Sequence, residues 1–185
     1  MLKDPKKLRA ALNGYAKFLV NQSKANLKQE GKVSSGNLLN SIKQQVSPTV
    51  VPTFELSILA ADYAKFVDQG VQGVTSSKAP NSPYRFGTGS GAKGGLTNSI
   101  EKWVKRKGLR RWRDEKTGRF ISHNQIARRI IRSIWNKGIA PTMFMTKAVN
   151  QVMKYLPDDI LKAYALDLEG QIYNDIKNQK INLNG

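Results

Sequence analysis

Two patterns of apolar and polar residues follow one another between Thr53 and Gly73. The apolar residues first alternate with polar ones, at Phe54, Leu56 and Ile58. They then recur at helical spacing, at Tyr63, Phe66 and Val67. A period of two is typical of a strand with one buried face, and the i, i+3, i+4 spacing is typical of a helix with one apolar face. The stretch therefore predicts a strand that leads into a two-turn helix, and we expect the rest of the chain to pack around it.

Helical stripes account for most of the remaining apolar residues. The first stripe runs from Leu8 to Leu27, after an Asp4-Pro5 pair that suits the start of a helix. A strand ending near Val46 precedes the Thr53 strand, so an antiparallel pair packed on the first helix is expected. Helices follow Pro141, and the last one carries a long stripe: Ile160, Leu161, Tyr164, Ala165, Leu168, Ile172 and Ile176. This stripe can be buried on the same domain or on a neighbouring subunit.

Residues 71–95 are poor in apolar side chains and rich in glycine, serine and proline. This composition predicts a flexible loop, ordered in an assembly by its neighbours. Gly89, Gly91 and Gly94 match the spacing of a dinucleotide-binding fingerprint, but no apolar strand precedes them. We therefore expect no nucleotide site in the loop.

A basic block with its own small core follows the loop. A helix is predicted from Leu96 to Lys107, and the turn at 115–118 predicts a hairpin. Ser122 and Gln125 have the spacing of a capping box for a second helix. The fold class expected is α+β: a small antiparallel sheet packed against an N-terminal helix and long C-terminal helices, with a basic helix–hairpin–helix insertion. The predicted domains are 1–73 with 139–185, and a flexible loop plus inserted subdomain at 74–138.

Positive charge is concentrated in that insertion. The chain of 185 residues has 31 Lys and Arg against 13 Asp and Glu, and residues 78–137 hold sixteen of the basic but only three of the acidic ones. Such clustering favours a polyanion or an acidic protein surface as partner, although a solvated surface is the simpler alternative. The residues expected to face DNA or an acidic partner are Lys102, Lys105, Arg106, Lys107, Arg110, Arg111 and Arg113.

Residue types that carry catalysis or bind metals are few. The chain has no cysteine and a single histidine, His123, which we expect at the surface. The close acidic pairs Asp114-Glu115 and Asp158-Asp159 fall in a predicted turn and at a predicted helix start. We therefore expect no enzyme, no cofactor, no metal and no small-molecule substrate. The apolar runs are also too short to span a bilayer, so a protein kept in a cytosol-like compartment until assembly is expected.

Three short motifs occur in order along the chain. The matching positions are Ser35, Gly36, Leu38, Ser41 and Ile42; then Tyr63, Ala64, Val67, Asp68 and Gly70; then Pro141, Phe144 and Ala148. This order resembles the tail-completion, or minor tail protein Z-like, family of long-tailed bacteriophages, over about residues 5–73 and 139–155. The sequence departs from the family pattern with Asp68 in place of Glu, with Val71 in place of Thr, and with two residues between Pro141 and Phe144.

The resemblance implies a structural virion protein that completes or joins the tail at the head–tail junction. It implies a ring of copies, six in number, in contact with neck and tail proteins and with genomic DNA in the channel. The protein would be made in the host cytoplasm and reside at the neck or tail top. Residues expected in packing or in the subunit interface are Tyr63, Phe66, Val67, Asp68 and Phe144. The alternative is a sequence-indifferent DNA-binding protein that acts through its basic block.

Overall fold

The computed structural model describes residues 5–48, 54–87, 95–109, 112–114 and 116–183. These residues form seven helices and a two-stranded antiparallel sheet, which confirms the α+β class. In chain order the elements are α1 Lys6–Gln29, α2 Asn37–Ser41, β1 Lys43–Pro48, β2 Phe54–Leu59, α3 Ala64–Gln69, α4 Gly95–Arg106, α5 His123–Lys137, α6 Phe144–Val152 and α7 Leu156–Leu183. The contacts divide the chain into a first unit, Met1–Ala61 with Phe144–Gly185, and a second unit, Asp62–Met143.

In the first unit the sheet packs on α1, as the alternating pattern predicts. Strands β1 and β2 pair from Lys43 opposite Leu59 to Pro48 opposite Phe54. Leu56 and Ile58 of β2 pack against the buried Leu19 of α1. The period-two pattern thus places one face of the sheet on the stripe of the first helix.

Helices α6 and α7 complete the first unit along α1. Ala148 and Val152 of α6 are buried in the same cluster as Leu19. Helix α7 runs back along α1, because the Tyr15 hydroxyl donates to Asp159 and the Asp167 carboxylate accepts from α1 near its start. The apolar residues predicted along α7 therefore fall on two sides of the helix. One side contacts α1, and the other does not.

In the second unit α4 and α5 pack around the core predicted for the insertion. Val104, Ile121, Ile126 and Ala127 are buried together, and Trp103 packs against them. The capping box of α5 is present, because the Ser122 side chain accepts from the Gln125 N–H and the Gln125 side chain accepts from the Ser122 N–H. The hairpin is present as well, since Arg113 pairs antiparallel with Phe120.

The two ends of the second unit meet and are hydrogen-bonded to each other. Val71 and Ile139 exchange two backbone hydrogen bonds of 2.9 and 2.8 Å. The N–H groups of Val74, Thr75 and Lys78 donate to the last carbonyls of α5. Residues 62–73 and 139–143 therefore group with the basic block, whereas the predicted boundaries lay at 73/74 and 138/139. Within the predicted flexible loop, residues between 74 and 78 donate hydrogen bonds to α5 and Gln72 is hydrogen-bonded to Tyr84 and Phe86, whereas Gly89, Gly91 and Gly94 lie outside the described residues.

Candidate functional site

The predicted basic residues fall into two groups. Lys102, Lys105 and Arg106 are exposed on α4, and Lys107 is exposed in the turn that follows it. Arg113 lies in the hairpin, while the predictions for Arg110 and Arg111 fall outside the described residues. Among the described members of the predicted set, only Arg113 lies beside the concave surface described next.

The hairpin presents the aromatic side chain of Phe120 to solvent. Phe120 and Ile121 are consecutive, so in extended backbone their side chains point to opposite sides. Ile121 is buried in the core of the second unit, while Phe120 is 65% exposed. A phenylalanine this exposed is not explained by packing, because its burial would be favourable.

The ring of Phe120 is covered on one side by a cation. The guanidinium carbon of Arg113 lies 4.6 Å from the ring centroid, within the range of a cation–π contact. The two residues are held opposite each other by the hairpin pairing. The guanidinium therefore covers one side of the ring, while most of the side chain stays exposed.

Phe120 borders a cleft of about 560 Å³ between the hairpin and α5, which we name the basic cleft. Its lining residues are Asp114, Thr117, Arg119, Phe120, Ile121, Gln125, Arg128, Arg129 and Arg132. Four of these nine are arginines, and one is a carboxylate. Arg128, Arg129 and Arg132 come from α5, and the packing of the hairpin on α5 brings them together with Phe120.

The carboxylate of Asp114 accepts hydrogen bonds from the turn of the hairpin and from one of the arginines. Its Oδ1 accepts from the Lys116 N–H, the Thr117 N–H and the Thr117 hydroxyl at 3.0 to 3.2 Å. Its Oδ2 accepts from Arg129 at 3.3 Å. The hydrogen bonds from Thr117, with smaller contributions from Lys116 and Arg129, lower the pKa of Asp114 below its usual value. Asp114 thus stays ionised and balances Arg129.

The other three arginines of the basic cleft have no protein partner within the described part of the chain. Arg119, Arg128 and Arg132 form no side-chain hydrogen bond or ion pair with described residues, and all three are exposed. Like charges gathered on one concave surface repel one another and attract anions. The cleft is therefore suited to binding an anion, and it has an aromatic ring at its edge.

The second motif lies where the two ends of the second unit meet. The Val67 carbonyl accepts from the Thr142 hydroxyl at 2.8 Å, and the Asp68 carbonyl accepts from the Thr142 and Met143 N–H groups. A Cβ at Gly70 would lie 2.8 Å from the nitrogen of Pro141. The motif around residues 67–70 and the one that begins at Pro141 are thus in direct contact.

The predicted packing residues differ in burial. Asp68 and Phe144 are buried, in the second and first unit respectively, and Val67 is half-buried. Tyr63 is 45% exposed and Phe66 is 36% exposed, with Phe66 edge-on to Tyr84 at 4.7 Å. Tyr63 is therefore not a core residue, and its removal would leave no large cavity.

One side of α7 carries exposed apolar side chains. Leu161 is 70% exposed, and the set that we name the α7 stripe consists of Leu161, Tyr164, Leu168, Ile172 and Ile176. Their spacing of three or four residues places them on one helix face, away from the buried Ala163. The sequence predicted this stripe but left its covering surface open, and α1 does not cover it.

Three observations on the described residues bear on catalysis, metal binding and membrane insertion. His123 is half-buried in the first turn of α5, not at the surface as expected, and its Nε2 has no hydrogen-bond partner. No three His, Asp or Glu residues in the described ranges lie close enough together to hold a metal ion. No helix of the described chain has the length and apolar character needed to cross a membrane.

Comparisons with protein-family models, with curated proteins and with solved structures found no match to this chain. The two surfaces that distinguish the molecule are the basic cleft and the α7 stripe. The first combines cations with an aromatic ring, and the second is an apolar helix face. Both are suited to binding, the one to an anion and the other to an apolar surface.

Proposed function

We propose that this chain is a structural protein of a tailed-phage virion, which completes or joins the tail at the neck as one subunit of a ring. The observation that carries the proposal is the direct contact between two of the three motifs on which the resemblance rests. Residues 67–70 and Pro141 are about seventy positions apart in the sequence and meet through backbone contacts. Motifs that contact each other in the folded chain are a more specific basis for the resemblance than motifs that share only their order along the sequence.

Four further motif residues, Leu38, Ser41, Phe144 and Ala148, have structural roles within the first unit. The Ser41 hydroxyl accepts from the Ala61 N–H at 3.0 Å and donates to the Leu38 carbonyl at 2.8 Å. Phe144 and Ala148 are fully buried, and the Phe144 carbonyl accepts from Asn26. Positions with such roles tolerate few residue types, which supports reading the motifs as a family pattern rather than a chance match.

The α7 stripe supports assembly of the chain into a larger particle. Helix α7 continues for sixteen residues after Asp167, about 24 Å, and every residue from Leu168 to Asn178 except Gln171 is exposed. A helix segment of this length is marginal in water unless an apolar face is packed. The stripe therefore fits a surface that another subunit covers.

The occupant that we propose for the α7 stripe is a neighbouring copy of the same chain. Residues 156–183 hold five acidic and three basic side chains in a chain of net charge +18. Exposed carboxylates of Asp158, Glu169 and Asp175 accompany the stripe. Two α7 helices side by side would bring like charges together, whereas α7 against the basic surface of the next copy pairs opposite charges. Such a head-to-tail contact generates a ring when its rotation closes.

Electron micrographs of the purified protein test this proposal. We expect rings with a central opening and about six subunits, and we expect an antibody to the protein to label the neck or tail top of the virion. A protein that stays monomeric and binds a particular DNA sequence in a saturable way would contradict it.

A second candidate function is sequence-indifferent DNA binding through the basic block, favoured by the exposed basic side chains of α4. Reversal of Arg110, Arg111 and Arg113 to Glu separates a channel surface from a protein contact. If these residues face DNA, rings and joined particles still form while DNA retention or ejection changes. If particles fail to join, the residues contact a neighbouring protein.

A further inference from the structure

We infer that the basic cleft is a binding site for single-stranded nucleic acid, in which an unpaired base stacks on Phe120 and the flanking phosphates bind Arg119, Arg128 and Arg132. The inference goes beyond the proposed function and does not depend on ring formation. Everything that it uses lies within the second unit.

The aromatic side chain is the first reason to infer an unpaired base. Phe120 is 65% exposed at the edge of the cleft, and Arg113 holds its ring 4.6 Å from the guanidinium carbon. A phenyl ring has only two rotatable bonds, so it loses little entropy when a second planar group stacks on it. The bases of a duplex are already stacked on one another, so only an unpaired base is available to this ring.

The second reason for the inference is that three arginines of the cleft have no partner in the described part of the chain. Asp114 engages Arg129, which leaves Arg119, Arg128 and Arg132 to bind an anion. Arg128 and Arg132 are four residues apart, one turn of α5, so their guanidinium groups emerge on the same side of that helix. Several cations along a groove that ends at an aromatic ring are the combination by which proteins hold a single strand without regard to sequence.

The size of the cleft is the third reason. Its volume of about 560 Å³ lies in the range of sites that hold small molecules, and it suits one or two nucleotides rather than a helix of 20 Å width. A duplex would contact the rim arginines only, through its phosphates. The cleft therefore binds a single strand more tightly than a duplex, because only the single strand adds a base stacked on Phe120.

The test compares binding of a labelled ten-nucleotide oligothymidine with binding of a ten-base-pair duplex, by fluorescence anisotropy on the full chain. We expect Phe120→Ala to weaken binding of the single strand about 5- to 100-fold, as loss of one base–aromatic stack does, and to change duplex binding less than about 2-fold. Phe120→Tyr keeps the aromatic face and should restore single-strand binding. Thermal unfolding of both variants should match the parent, because the side chain is exposed.

The phosphate contacts are tested in the same titrations. Arg132→Ala should reduce the slope of log affinity against log salt by about one, for either nucleic acid. Lys177→Ala changes an exposed cation on α7, in the other unit, and should leave the slope unchanged.

Three outcomes would overturn the inference. The first is a Phe120→Ala variant that binds the single strand as tightly as the parent. The second is an equal loss for single strand and duplex. The third is an Arg132→Ala variant that keeps its nucleic-acid affinity while its oligomeric state changes, since the cleft would then be a contact for a protein. Rings seen by microscopy would be unaffected by the first two outcomes, so this inference and the proposed function fail separately.

Discussion

Two backbone segments of the second unit cross at glycines, and a side chain at these glycines would meet backbone atoms. A Cβ at Gly138 would lie 2.2 Å from the Val71 carbonyl oxygen, and one at Gly73 would lie 2.2 Å from the Asn136 carbonyl oxygen. Gly138 also has φ of +78° and ψ of −174°, a region that is open almost only to glycine. The crossing joins residues near 71–73 to residues near 136–139. The two motif segments are next to these residues, so their conformation depends on the crossing.

Gly138→Ala is expected to destabilise the protein by about 3 kcal/mol or more, because the added methyl forces the backbone of residues 71–73 to shift. Gly108→Ala is the matched control, since Gly108 also has positive φ, at +61°, but nothing lies within 4 Å of its Cβ. The control should cost only about 1 to 2 kcal/mol, the cost of a left-handed alanine. Urea unfolding measures both, and equal losses would contradict the close approach.

A second prediction at the residue scale concerns the phenol of Tyr15. The hydrogen bond to Asp159 is the largest cause that raises the pKa of Tyr15 above its usual value of 10.0. Because the folded-state pKa is raised, the stabilisation is fully present below pH 10 and is lost as the pH rises through the folded-state value. We expect the free-energy difference between parent and Tyr15→Phe to shrink above pH 10.

Ultraviolet absorbance of tyrosinate and urea unfolding at several pH values check this expectation. Tyr173→Phe serves as the control, since Tyr173 is highly exposed on α7, the helix that carries Asp159. A difference between parent and Tyr15→Phe that stays constant from pH 7 to above pH 10 would contradict the hydrogen bond.

At the scale of the elements, the start of α1 is capped by a residue from another helix. The Asp167 carboxylate accepts from the N–H groups of Lys7 and Leu8 at 3.1 and 2.8 Å. The helix has no side-chain cap from its own N-cap residue, Pro5, and the predicted cap Asp4 lies outside the described residues. A carboxylate at this position satisfies orphan N–H groups and interacts favourably with the helix dipole.

Asp167→Ala is expected to lower the free energy of unfolding by about 1 kcal/mol, within the usual range for loss of a helix cap. Asp175→Ala removes an exposed carboxylate from the same helix and should change stability by less than about 0.5 kcal/mol. Thermal unfolding of the two variants compares them. If Asp175→Ala is the more destabilising, the capping role of Asp167 is wrong.

Local signals in the sequence predicted the elements well. The period-two pattern at Phe54 to Ile58 identified β2, the Ser122–Gln125 spacing identified the capping box of α5, and the turn at 115–118 identified the hairpin. Each of these depends on residues a few positions apart. Such features are therefore readable without knowledge of the tertiary structure.

Features that depend on distant residues could not be predicted in the same way. The cap on α1 joins residues 160 positions apart, and the crossing at Gly138 joins residues near 71 to those near 138. The position of Phe120 beside Arg128 and Arg132 results from how the hairpin packs on α5. The sequence predicted a basic block in this region, but the arginines of the cleft lie outside the predicted set, and their arrangement required the structure.

At the scale of the whole molecule, charge is divided between different parts of the chain. Sixteen basic and three acidic residues lie between 78 and 137, while the last helix holds five acidic and three basic ones. In a ring of identical subunits this division places surfaces of opposite charge on neighbouring copies. Association by such surfaces weakens as salt rises, unlike association through apolar contacts alone.

The central claim is that copies of this chain assemble into a ring through the α7 stripe, and sedimentation velocity of stripe variants tests it most directly. The parent should sediment as about six copies of the 20.6 kDa chain. Leu168→Gln with Ile172→Gln should sediment as a monomer of unchanged helix content, because both side chains are exposed within the first unit and Gln favours helix. Tyr173→Gln, an exposed position off the stripe, should keep the parental mass. A parent that is monomeric, or a double variant that keeps the mass of the ring, would contradict the claim.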